Sequence, residues 1–259
     1  MSGQGAEVGH LAVVGLGPAD ARWLTPEADA VLARANALYG YGVYLDRVPV
    51  RAGQARYPSG NREERARATA ALRDAAQGAR VAIVSGGDPG VFAMAAAVCE
   101  EIEAGPPAWR SLDVGFVPGI TAMLAVAARV GAPLGQDFCA LSLSDNLKPW
   151  ALIERRLAAA AGAGFVIALY NPTSRARPWQ LAAAFEHLRR LLPGSTPVVL
   201  GRAVGRSDES IVVATLDAAD PTKADMATLI IVGCAYTRII KRPGRSAIVY
   251  TPRAIEAVS

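Results

Sequence analysis

The sequence predicts an α/β protein of two domains with a cleft between them, and three observations carry that expectation. Short apolar runs bounded by glycine and proline alternate with longer, alanine-rich segments of helical spacing. Several runs end in abrupt Gly/Pro/Asp turns that lead straight into a helix, as in α/β ligand sites at the carboxyl end of a sheet. At 259 residues and 52% hydrophobic content, the chain can also fill one large or two smaller cores.

The elements follow in order. LAVVG, within 10–15, reads as the first strand, and the loop LGPAD follows it. Thr25 and Pro26 then open a helix, threonine as N-cap and proline in the first turn, where its missing N–H costs nothing. The tyrosine-rich YGYGVYLDRV reads as irregular, and 61–77 as a charged amphipathic helix closed by Gly78. Strand 81–84, helix 89–104, strand 112–117 and helix 120–130 come next, with Pro89 placed in the first turn of its helix. Strands alternating with helices make βαβ units and a mainly parallel sheet. A boundary falls at Ala132-Pro133-Leu134-Gly135, which gives domains of 9–133 and 134–259. Beyond it FCALSL, GFVIALY, TPVVLG, ESIVVATL and ATLIIVG are strands, with helices over 149–162 and 178–192. The last three strands have little helix between them, so this sheet is expected to be mixed.

Composition removes several classes of function. Cys99, Cys139 and Cys234 stand far apart with no CxxC pair, which leaves them as buried small hydrophobes and offers no metal site. Only His10 and His187 are present, the latter expected on a helix surface, and no G-x-S-x-G accompanies them. The net charge of +4 comes from dispersed arginine rather than a dense basic run, so nucleic acid is not the expected partner. No apolar run reaches the ~18–20 residues of a membrane helix. MSGQGAEVGH lacks the features of a signal peptide and reads as a short lead-in, which makes cytoplasmic residence the expectation.

Three strand-end loops carry the chemistry. In VAIVSGGDPGVFAMA, Gly86 and Gly87 expose bare backbone and Asp88 supplies one fixed charge; the alternative is a structural turn with a capping aspartate. PGITA, with Thr121 and Ala122, repeats the strand–turn–helix design. Tyr170-Asn171-Pro172-Thr173-Ser174-Arg175 ends a later strand and is also good turn chemistry. The first loop, Gly15-Leu16-Gly17-Pro18-Ala19-Asp20, is no dinucleotide fingerprint, because Asp20 replaces the third glycine and Pro18 removes a donor. No P-loop is present.

Taken in order, VGLGPAD, GGDPGVF, PGITA, YNPTSRAR and ATLIIVG resemble the tetrapyrrole methylase family, and the match runs from about residue 10 to 240. Within it, LYGYGVYLDRV and LSLSDNLKPW look most like the ring-contracting members that methylate carbon 17 of a precorrin. The resemblance implies a homodimer that carries a methyl group from S-adenosylmethionine, bound in the interdomain cleft, to a small-molecule tetrapyrrole. It places Pro18, Gly86, Gly87, Asp88, Val91, Thr121, Ala122, Tyr170, Ala203 and Val204 at cofactor-binding positions. Two departures stand out: many relatives have methionine at Tyr170, and Glu-Asn-Gly at Arg202-Ala203-Val204. The cobalt-loaded anaerobic counterpart, another tetrapyrrole methylase and a non-catalytic binding module are the alternatives.

An electron-rich pyrrole carbon needs positioning rather than a strong base. Asp88 therefore reads as an anchor for its loop. Ring contraction must also handle a proton, and Asp145 in SLSDN is the catalytic acid–base candidate, with an Asx-type turn as its alternative. Lys148, Asn171, Arg175, Arg177, Arg202 and Arg206 lie on strand-end loops and are the candidates for meeting a polycarboxylate substrate.

Overall fold

The computed structural model describes residues 9–254. The chain forms two compact units, Met1–Thr121 and Ala122–Ser259.

In the first unit, β1 (His10–Gly15), β2 (Ala37–Tyr41), β3 (Ala55–Ser59), β4 (Arg80–Ser85) and β5 (Asp113–Val117) form one sheet in the order β3-β2-β4-β1-β5. Every pairing in it is parallel. Parallel strands need crossovers, and these are supplied by α1 (Pro26–Arg34), α3 (Glu64–Ala76) and α4 (Met94–Ala104); the single turn α2 (Gly42–Leu45) follows β2. Side-chain alternation along β1 divides the core in two. Leu11 and Val13 pack with Leu72 of α3 and Val98 of α4, while Ala12 and Val14 pack with Ala28 and Leu32 of α1. Thr25 caps α1 as expected, accepting the N–H of Ala28 at 3.1 Å. From β1 the chain passes to β2, on one side, and from β4 to β5, on the other. The neighbouring β1 and β4 thus bracket the point where connections leave in opposite directions.

The second unit contains α5 (Ala122–Val130), β6 (Gly131–Ala132), β7 (Phe138–Ser142), α6 (Trp150–Gly162), β8 (Val166–Tyr170), α7 (Gln180–Arg189), β9 (Pro197–Arg202), β10 (Ser210–Thr215) and β11 (Thr228–Val232). The hairpin β12 (Arg238–Arg242) and β13 (Arg245–Tyr250) completes it. The main sheet runs β10-β9-β11-β8-β7 and is mixed: only β7 and β8 pair in parallel. Ile167, Leu169, Val198, Leu200, Ile230 and Val232 bury one face against Ile153 and Leu157 of α6 and Phe185 of α7. On the other face, a Cβ on Gly201 would lie 2.3 Å from Val126 of α5, so glycine there lets the helix close on the sheet.

The structure differs from the sequence expectation in several elements. The segment read as irregular contains the end of β2 and all of α2, and β3 and the β12–β13 hairpin were not anticipated. Helix α4 starts at Met94 rather than at Pro89, because Phe92 takes a left-handed φ of 53° and breaks the turn before it. The division between units falls ahead of α5, which packs on β11 and β13. Cys99 is exposed and Cys139 intermediate; only Cys234 is buried. His187 is half-buried on α7 rather than on a free surface.

Candidate functional site

The carboxyl ends of β1, β4 and β5 bring three loops of the first unit together. Gly17 and Gly87 exchange both backbone hydrogen bonds, at 3.1 and 2.9 Å, which joins the first loop to the Gly-Gly-Asp-Pro turn. Gly119 approaches so closely that a Cβ there would lie 2.3 Å from the Gly87 carbonyl oxygen. Gly15 is as tight: its Cβ would stand 2.7 Å from the same oxygen and from the Gly119 nitrogen. Asp88 fastens the arrangement, Oδ1 accepting the N–H of Gly90 at 2.8 Å and Oδ2 that of Gly119 at 3.1 Å. The carboxylate therefore acts on its own loops, which matches an anchor. Gly87, at φ 68°, has nothing nearer to its missing Cβ than Thr121 Cα at 3.8 Å, so bare backbone stays open beside Thr121. Pro18 and Val91 are half-buried on the same loops, and Thr121 is buried.

Two residues that hold these loops were missed in the sequence. Arg47 Nη2 donates to the carbonyls of Leu16, Gly17 and Ala19, gathering the first loop around one guanidinium. The Tyr44 ring fills the space a side chain on Gly86 would need, 2.6 Å from its Cβ position. Their only signal was the density of Tyr and Arg in a stretch read as irregular. A hollow lined by His10, Val31, Arg34, Ala35, Arg80 and Val81 lies at the amino ends of β1 and β4, the opposite end of the sheet from these loops.

In the second unit the carboxyl ends of β7, β8 and β9 carry the other expected residues. The Tyr170 hydroxyl accepts the N–H of Met123 at 3.1 Å, so it satisfies an orphan donor in the first turn of α5, next to Ala122. Asn171 has a left-handed φ of 52° and donates through Nδ2 to Ser142 Oγ at 2.9 Å. Ala203 is left-handed as well, φ 50°, and is held by a bond from its N–H to the Ala227 carbonyl at 2.9 Å; it and Val204 are each 5% exposed. Phe92, Asn171 and Ala203 are the non-glycine residues with positive φ among those described, and each stands on one of the loops singled out from sequence. Such strain costs about 1–3 kcal/mol apiece and collects at functional loops.

The expected substrate-facing cations separate. Arg202 donates through Nε to Asp225 at 2.7 Å and through Nη1 to Asp208 at 2.8 Å, which ties it to two loops of its own unit. Arg175 and Arg206 are exposed. Lys148 and Arg177 sit with Asp145, which takes a bond from Gln180 Nε2 at 3.1 Å and lies 3.6 Å from Arg177 Nη1. Among the described residues Asp145 is thus met by two side chains, Gln180 at the start of α7 and Arg177 on the loop before it. No group of three His, Cys, Asp or Glu side chains suited to a metal occurs among the described residues.

The first unit joins its strand-end loops through bare glycine backbone on a parallel sheet, and the second is a mixed α/β unit. The chain belongs to the tetrapyrrole (corrin/porphyrin) methylases, whose family model matches residues 10–220. It is 61% identical over 245 residues to the precorrin-3B C(17)-methyltransferase of a Sinorhizobium species, covering 95% of this chain and 96% of that protein. It is 38% identical over 244 residues to a probable cobalt-factor III C(17)-methyltransferase of Salmonella typhimurium, covering 94% and 98%. The crystal structure of the methyltransferase CobJ superposes with a TM-score of 0.90 at 47% identity, covering 94% of this chain and all of that one. Among the described residues no helix is long and apolar enough to cross a membrane.

Proposed function

We propose that the chain is an S-adenosylmethionine-dependent C-methyltransferase of cobalamin biosynthesis, which methylates precorrin-3B at carbon 17 as the ring contracts to precorrin-4. The observation that carries this reading is the end-to-end likeness, 61% identity over 95% of the chain, to a relative of that name, against 38% to the cobalt-factor III relative. The enzyme acts as a cytoplasmic homodimer on a small-molecule tetrapyrrole, without nucleic acid or membrane as partner. Dispersed arginines, with no dense basic run, support leaving nucleic acid out.

S-adenosylmethionine supplies a methyl group on a sulfonium sulfur, open to in-line displacement by an electron-rich ring carbon. The residues proposed to hold it are Pro18, Gly86, Gly87, Asp88, Val91, Thr121, Ala122, Tyr170, Ala203 and Val204. They fit that task on two counts. The open face of Gly87 admits a ligand to backbone groups, and Ala203 and Val204 offer small apolar side chains. Asp88 holds the loops in register by its bonds to Gly90 and Gly119, and Tyr170 fixes the start of α5. Lys148, Asn171, Arg175, Arg177 and Arg206 are proposed to meet the substrate, with arginine matched to carboxylate in charge and shape. Presenting precorrin-3B, its cobalt-loaded counterpart and uroporphyrinogen separately with methyl-labelled cofactor tests the reading. Label should enter precorrin-3B fastest; preferential labelling of either other ring would replace it.

A further inference from the structure

The loops after β7 and β8 gather more positive charge than the fold answers. The Arg177 side chain is 14% exposed, and its Nε and Nη1 are sealed from solvent without a hydrogen-bond acceptor. Its carboxylate neighbour, Asp145, stands 3.6 Å from Nη1, beyond hydrogen-bond range. Asp145 instead accepts from Gln180 Nε2 at 3.1 Å. Gln180 is 0% exposed, and its Oε1 has no partner either. Lys148 is half-buried, and its ammonium is held below the usual lysine range, first by burial and then by the charges of Arg156 and Arg177. Lys148 thus feels two like charges, Arg156 and Arg177, against one carboxylate, Asp145. Arg202 is the contrast, since both its Nε and its Nη1 bond carboxylates of its own unit. Buried donors without acceptors are costly, and native folds keep them where another group completes the set.

We propose that Arg177 and Lys148 form the seat for one carboxylate side chain of the substrate, and that Asp145 and Gln180 are positioning residues that hold Arg177 in place. The identity of the carboxylate bearer rests on the tetrapyrrole reading above; the seat itself requires only a ligand that carries one. An arriving carboxylate supplies an acceptor that Arg177 lacks, as a charge-assisted hydrogen bond. It also neutralises part of the local excess of charge, which relieves Lys148. In this proposal Asp145, bonded to Gln180 and 3.6 Å from Arg177, acts on turnover through Arg177 rather than as the acid–base group.

The experiment titrates uroporphyrin, a ring whose side chains all end in carboxylates, and its methyl ester into wild type, Arg177→Gln, Arg177→Lys, Lys148→Met and Asp145→Asn. Absorbance reports binding at several ionic strengths, circular dichroism reports folding, and methyl transfer to precorrin-3B is followed in parallel. Arg177→Gln should weaken uroporphyrin about tenfold or more and flatten its salt dependence. Arg177→Lys should restore part of the affinity, and the ester should bind wild type and Arg177→Gln alike. Asp145→Asn should raise KM for precorrin-3B several-fold and leave the pH profile of kcat in place. Unchanged uroporphyrin affinity in Arg177→Gln overturns the seat, and should that variant not fold, the same acid-against-ester comparison in Lys148→Met decides. Loss of one limb of the kcat profile in Asp145→Asn overturns the positioning role. Uroporphyrin binding that depends on Arg177, in a wild type that methylates no precorrin, keeps the seat and defeats the functional reading. Methylation that is indifferent to Arg177 does the reverse.

Discussion

Replacing Asp88 with alanine removes the one carboxylate that joins the Gly-Gly-Asp-Pro turn to the loop after β5. Two bonds disappear, from the N–H of Gly90 at 2.8 Å and from the N–H of Gly119 at 3.1 Å. A hydrogen bond to a charged acceptor contributes about 1.5–3 kcal/mol. Asp88 is half-buried, so the lower end applies and the pair amounts to about 3 kcal/mol. In a chain of this length each kcal/mol moves Tm by about 2–4 °C, which predicts a fall of roughly 6–12 °C in the transition of the first unit. Asp88→Asn keeps one carbonyl acceptor and should lose about half as much. Differential scanning calorimetry reads the transition, and amide hydrogen exchange reads the bonds themselves. The Gly119 amide should exchange about tenfold faster in the alanine variant, as loss of about 1.5 kcal/mol requires. Cofactor affinity should fall with it, because the same loops present the glycine backbone. A variant with wild-type Tm and unchanged Gly119 protection would refute the anchoring role.

Other expectations follow from single contacts. Gly119→Ala would set a Cβ 2.3 Å from the Gly87 carbonyl oxygen, where only backbone could yield, so binding of S-adenosylhomocysteine by calorimetry should weaken about tenfold or more. Tyr170→Phe removes the acceptor for the Met123 N–H and should cost about 1 kcal/mol, seen as faster exchange at that amide. Phe185, 0% exposed in the core of the second unit, should cost about 3–5 kcal/mol when changed to alanine, read in urea unfolding. Acid should loosen the 202–209 loop. Glu209 lies below the usual carboxylate range chiefly through its bond from Arg129; Asp225, which burial would raise, is brought lower by Arg202 and Thr228. A depressed folded pKa contributes stability that is complete above the unfolded value, about 4, and is lost as pH falls through the folded one. Exchange in this loop should therefore rise only below about pH 4, and a transition centred near neutrality would contradict the assignment.

The strands most plainly legible in the sequence were those whose apolar runs are buried on both faces, while the partly buried β5, β7 and β10 were read from their apolar runs as well. β1, β4, β8, β9 and β11 are nearly or wholly buried and stood out at once. β3 and β12 lie at sheet edges, mostly exposed and rich in Arg, so their composition reads as surface. The available signal for the last hairpin was Pro243-Gly244 between short β-branched runs, with Gly244 at φ 65°. The loops were legible for another reason: glycine is placed where backbones meet, as at Gly15, Gly87 and Gly119, and such constraints stay local in sequence. The side chains that brace them did not show. Arg47 reaches carbonyls some thirty residues back, and Gln180 reaches Asp145 from 35 residues ahead, so neither pairing has a spacing to read. The pairing of Arg202 with Asp225 was hidden for the same reason, since the two meet only after β9 and β11 have paired.

The most direct measurement incubates the purified chain with precorrin-3B and S-adenosylmethionine carrying a carbon-13 methyl group, and takes the carbon-13 spectrum and mass of the product. The expected product carries one new labelled methyl on carbon 17, with the ring contracted and the extruded carbon present as an acyl group. Label at another ring carbon, or cofactor bound with no label transferred, would contradict it.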